Sequence, residues 1–148
     1  EEVTTTETPT TQQRLEEMVG TVIDFAAALL EKDGEVYPVP VARRADGGHI
    51  VVALDPPGEP DAVAFLAWVW PALKELAVAE GWVTVAVCHD ASVEKDGVVV
   101  DALVINIDDV DDAACMVAVY DRGADGSVVV GDVFRQPRYN VTCASSHR

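Results

Sequence analysis

The sequence predicts an α+β fold: one antiparallel sheet of about six strands packed with two main helices, in the order α-β-β-α-β-β-β-β. Three observations predict it. Two stretches of about 20 residues carry apolar side chains at helical spacing. The segment from Trp82 to Asp121 is dense in β-branched residues, lacks proline and is cut by acidic turns. The three strands of that segment are joined by two tight acidic turns.

Residues 1–10 are rich in Thr and Glu and nearly free of apolar side chains, the signature of a disordered N-terminal tail. The first helix opens on the capping box Thr10-x-x-Gln13. Leu15, Met18, Val19, Val22, Ala26, Leu29 and Leu30 form its stripe, and Gly34 ends it. Gly20 interrupts the stripe at a cost of about 1 kcal/mol relative to Ala, which suggests close approach of a neighbouring element. Two strands follow, Val36 to Arg43 and His49 to Asp55, joined at an Asp46-Gly47 turn. Pro38 and Pro40 lack N–H groups, which places the first of these strands partly at an edge.

The stiff loop Asp55–Pro60 leads into the second helix, Asp61 to Glu80, closed by Gly81. Its first half is apolar nearly all round, so burial on more than one side is expected. Pro71 lies in its middle and predicts a kink. A three-strand meander then runs from Trp82 through the turns at Asp96-Gly97 and Asp108–Asp112 to Asp121. A last strand, Ser127 to Phe134, completes the sheet. The single domain is expected over 11–136, with a polar C-terminal tail over 137–148. In the meander both strand faces are apolar, whereas a sheet with one wet face alternates apolar and polar. Both faces therefore need cover, from helices on opposite sides or from a second copy of the chain.

At 148 residues the chain is one ordinary domain. Such a chain buries roughly 70% of its unfolded surface and needs neither disulfide nor metal to fold. Its net charge of −16 opposes binding to nucleic acid or to an anionic membrane. The acidity serves solubility, salt adaptation or a basic partner protein. The longest apolar run, Ala62 to Leu73, is too short to span a bilayer. Three cysteines without regular spacing, Cys88, Cys115 and Cys143, argue against a disulfide framework or zinc site. The expected location is cytoplasmic; the chain opens on Glu rather than Met, which leaves export open. Asn140-Val-Thr142 matches a glycosylation sequon, a pattern common by chance.

Cys88-His89-Asp90 holds the residue types of a nucleophilic triad. Neighbours along a strand point to opposite faces, however, so Cys88 and His89 cannot act as nucleophile and base. These three residues are retained only as the rim of a small-molecule pocket between the second helix and the sheet. The turn Asp108–Asp112 is acidic but has Val110 at its centre and no glycine, unlike an EF-hand loop. No phosphate loop, zinc signature or nucleophile elbow is present, so no catalytic residue, metal or cofactor is assigned.

The pieces Gly34-Glu-Val-Tyr-Pro38 and Gly131-Asp-Val-Phe134, with Ala79-Glu-Gly81 and Asp101-Ala102 between them, resemble a group of small uncharacterised bacterial α+β proteins. The resemblance covers roughly 31–136 and implies the α+β fold but no activity or site residue. The tryptophan-rich helix start and Pro71 depart from it. The element order is also that of roadblock-like and profilin-like platforms, which often act by pairing. The leading expectation is a non-enzymatic protein working through a protein interface, as a homodimer, with Trp68, Trp70, Met116, Tyr120 and Phe134 as contact residues. The alternatives are the small-molecule pocket, with or without catalysis, and an acidic inhibitor or immunity-type partner of a basic protein.

Overall fold

The computed structural model describes residues 8–136, which form one open six-stranded antiparallel sheet and two helices. The elements are α1 (Thr11–Asp33), β1 (Val39–Arg43), β2 (His49–Val51), α2 (Ala62–Glu80), β3 (Thr84–Lys95), β4 (Val98–Asp109), β5 (Asp112–Arg122) and β6 (Val128–Gln136). The strand order is β2-β1-β3-β4-β5-β6. This is the expected class and element order. The expected tails at 1–7 and 137–148 lie outside the described residues, as do the sequon and Cys143.

The helix ends follow their local chemistry. The Thr10 hydroxyl accepts from the Gln13 N–H, and the Gln13 side chain accepts from the Thr10 N–H, closing the capping box. Gly34 takes the left-handed conformation, φ 84°, and its N–H caps the Leu30 carbonyl. Arg122, at the end of β5, donates to the carbonyls of Leu30 and Gly34, adding positive charge where the helix presents unpaired oxygens. α2 begins with Asp61 accepting from the Ala64 N–H and ends at left-handed Gly81.

Period-2 alternation divides the sheet into two faces. On the first, Ala86, Cys88, Leu103, Ile105, Ile107, Ala118 and Tyr120 pack under the α1 stripe of Leu15, Met18, Val22, Ala26 and Leu30. On the second, Val85 and Val87 with Ala42 pack under Phe65, Val69, Trp70 and Leu73 of α2. The helices therefore sit on opposite faces. α2 covers only the β1–β3 half of its side. Over the β4–β6 half lies a separate cluster of Val93, Ala102, Val104, Cys115 and Val117, flanked by Phe134, and among the described residues no helical one belongs to it.

Four sequence expectations change. β1 is interior, between β2 and β3, rather than partly at an edge. Pro40 is tolerated because β2 pairs only with residues 41–43, and beyond that point the Pro40 carbonyl accepts from the Val52 N–H at 2.9 Å. Gly20 is exposed, and a Cβ there would meet nothing within 4 Å, so close packing does not explain it. α2 is buried on one side only, leaving Ala62, Val63, Ala64, Ala67, Pro71 and Val78 exposed. Pro71 sits inside a continuous helix on that wet side, where water can satisfy the freed Ala67 carbonyl. Finally, Cys115 is disulfide-bonded, while Cys88 is a free, buried thiol.

Candidate functional site

Sequence neighbours part company in β3. Cys88 lies in the α1 core, and burial pushes its thiol up, with the Asp90 charge adding to the effect; it is no nucleophile. His89 faces the other way. Its Nδ1 lies 3.2 Å from the Asp90 carbonyl oxygen, and its buried Nε2 has no hydrogen-bond partner among the described residues. Burial holds this imidazole below its usual range, against the pull of Asp90. The Asp90 carboxylate turns back to the first face and accepts from the Val36 N–H. The three residues thus serve three different surroundings and form no triad.

A cavity of about 480 Å³ does open between α2 and the sheet, lined by Lys74, Ala77, Val78, Trp82, Val85 and Asp108. Its polar feature is the Lys74–Asp108 ion pair at 3.1 Å. Cys88, His89 and Asp90 do not line it, so the expected rim is corrected. A pair that already satisfies itself offers no activated group.

The strongest electrostatic cluster was not visible as such in the sequence. Arg14, in the first turn of α1, grips Asp109 through two bonds, Nε to Oδ2 at 2.8 Å and Nη2 to Oδ1 at 2.9 Å. Thr84 donates to Asp109 Oδ2 at 2.6 Å, and the Asp111 N–H donates to Oδ1 at 3.0 Å. Arg14 also reaches Asp111, the Pro9 carbonyl and the Thr11 hydroxyl. Burial alone would raise the Asp109 carboxyl, but the bonds from Arg14, Thr84 and Asp111 outweigh it and hold the group below the usual carboxylate range. Every charge here is paired, so the cluster is a clasp joining α1 to the ends of β3 and β4. Of the acidic turn, Asp109 and Asp111 are taken up by it, while Asp108 pairs with Lys74 and Asp112 with Arg135. No group of three or more potential metal ligands occurs among the described residues.

The expected contact residues scatter. Trp70 and Tyr120 are buried within the chain, under α2 and α1 respectively, and are not available on its surface. Met116 is half-buried and lines a groove of about 490 Å³ with Leu15, Val19 and Val133, between α1 and the β6 edge. Phe134 flanks the cluster on the second face. Trp68 is half-buried beside Phe65, ring centroids 5.8 Å apart, and Phe65 in turn meets Tyr37 at 5.3 Å.

No family model, curated protein or solved structure matches this chain. Function must therefore be read from surfaces. Of these the outward side of α2 is the most unusual. The helix is long and apolar enough to cross a membrane by length and composition, with a mean hydropathy of 1.5, yet only 22% of that stretch is buried. Val63 and Val78 are 78% and 85% exposed. The signal was present in the sequence as a helix apolar all round; what the sequence could not supply was which side stayed wet.

Proposed function

We propose that this chain is a non-enzymatic protein that acts through a protein–protein interface and pairs with a second copy of itself across the outward side of α2. One observation supports the reading: an apolar helix covered on only one side. Soluble chains normally bury such a helix or use it. Charge selects the occupant. Each copy carries a net charge of −16, so copies repel and so does an anionic bilayer. No charged residue occurs from Ala62 to Leu73, so two-fold pairing there brings the least like charge together. Trp68 and Tyr37 flank this stripe, with aromatic area suited to an interface rim.

At 1.5 Å per residue, the 19 residues of α2 are about 28 Å long. An interface built on one such helix belongs to the smaller, transient class. Association in the micromolar range is expected, strengthening with salt as the carboxylates are screened. The test is light scattering over a concentration series at low and high salt, with Ala67→Glu as the variant. Ala67 is exposed mid-stripe, so the variant folds and should remain monomeric where the parent pairs. A parent that stays monomeric at all concentrations and salts, or a dimer indifferent to Ala67→Glu, overturns the reading.

A further inference from the structure

β6 ends the sheet, and it lacks the usual guards of an edge. Among the described residues it pairs with β5 alone. The opposite edge, β2, has three residues, whereas β6 has nine. Short length, lysine or proline normally keeps an edge from pairing with another chain. β6 holds neither lysine nor proline, opens on Val128, Val129 and Val130, and leaves Val129 64% and Val133 42% exposed. Its two charges are already engaged: Asp132 meets Lys95 at 3.4 Å, and Arg135 meets Asp112 at 3.3 Å.

α1 runs beside this edge. Near the end of the helix, Glu31 accepts from the Val128 N–H at 2.9 Å. Near its start, Gln12 and Glu16 line the same groove as Arg135. Helix and strand therefore lie alongside each other in opposite directions. The groove between them, about 490 Å³, has Leu15, Met116 and Val133 as its apolar lining, and Gly20 forms part of its helical wall. No internal packing calls for that glycine, since a Cβ there would meet nothing within 4 Å, and almost any other residue makes a better helix. What the missing side chain does is hold the groove open. One turn earlier, Glu16 accepts from the Gln12 side chain at 2.7 Å, and no cation pairs with it among the described residues.

We propose that β6 accepts an extended segment of a basic partner protein as a seventh strand, with one apolar side chain seated beside Gly20 and a lysine or arginine over Glu16. Glycine is the residue that permits such close approach. The spacing fits: Gly20 and Glu16 are about 6 Å apart along the helix, and alternate residues on one face of a strand are about 6.8 Å apart. An added strand lies about 4.8 Å from β6 and exchanges main-chain bonds with it, while the groove reads its alternate side chains. Charge selects the basic partner over a second copy. Two copies paired edge to edge would each bring an uncompensated Glu16 and a net charge of −16.

The probe is the capped peptide Val-Thr-Leu-Thr-Lys-Thr-Arg, which places leucine and lysine two residues apart on one face; it is titrated by calorimetry into the full chain. Binding is expected, with amide NMR shifts moving along β6 and the groove side of α1. Gly20→Leu fills the groove and should weaken binding about tenfold or more. Its Tm should be no lower than the parent's, because the new side chain enters open space. Glu16→Gln should weaken binding about two- to fivefold. The same peptide with glutamate in place of lysine and arginine should not bind. No heat at millimolar peptide, undiminished binding by Gly20→Leu or Glu16→Gln, or equal binding of the acidic peptide overturns the inference. Ala67→Glu should bind the peptide as the parent does, so failure of α2 pairing and failure of this site are distinguishable.

Discussion

Replacing Asp109 by Ala removes the centre of the clasp between α1 and the sheet. The Asp109 side chain is 0% exposed and that of Arg14 is 9% exposed, so the pair sits largely out of water. Breaking a buried pair by deleting one partner costs about 3–5 kcal/mol, because the remaining charge is left uncompensated. Here the remaining guanidinium keeps Asp111, the Pro9 carbonyl and the Thr11 hydroxyl, so the lower end, about 3 kcal/mol, is expected. The Thr84 hydroxyl, 0% exposed as a residue, loses its acceptor as well. Against a total stability of about 5–15 kcal/mol this is a large fraction. In a domain of this size it corresponds to a fall in Tm of about 6–12 °C. Urea titration followed by tryptophan fluorescence reads the change. The double variant Arg14→Met with Asp109→Leu removes both charges and should recover most of the loss. A single variant that loses less than about 1 kcal/mol, or a double variant no better than the single, refutes the account of the clasp.

Acid should act through the same carboxylate. Its folded pKa lies below the ordinary 3.8, so its stabilisation is present above that value and is lost as the pH falls through the folded pKa; in Arg14→Met the loss should begin at higher pH, read as thermal stability against pH. His89 is held below its ordinary 6.5, so its burial favours the fold above that pH and stability should decline as the pH drops beneath it; His89→Gln should flatten that part of the same curve. Asn106 is 0% exposed with both amide atoms unpartnered among the described residues, and Asn106→Leu should raise stability by about 1–3 kcal/mol in urea titration, whereas a loss would reveal a hydrogen bond that the substitution destroys. Gly20→Ala, in open space on an exposed helix face, should stabilise by up to about 1 kcal/mol, measured as a raised Tm.

Much of the architecture was legible because its causes are local. The Thr10–Gln13 box and the glycines at 34 and 81 mark helix ends by backbone chemistry alone. Alternation through Ala86 and Cys88, or Leu103 and Ile105, separates the two sheet faces without knowledge of partners. What stayed hidden depends on distant pairing. Arg14 and Asp109 are 95 residues apart, and each in isolation looks like a solvated surface charge. The side on which α2 docks is set by the sheet, so its apolar circumference did not disclose which stripe would remain wet. Trp70 and Tyr120 resembled contact residues for the same reason that they are core: large aromatic side chains bury well in either place. The proline-bearing strand misled because β2 is shorter than its apolar run, so an interior strand accommodates Pro40.

The clasp also bears on the order in which the chain acquires structure at the ribosome. α1 emerges before the sheet, carrying an apolar stripe whose floor is built from strands made much later. Its anchor at Asp109 appears 95 residues after Arg14. At about 5–20 residues per second, the stripe waits about 5–20 s for a surface to dock on. During that interval Leu15, Met18, Val22 and Leu30 have no native cover, and the nascent helix is a ready target for holding chaperones.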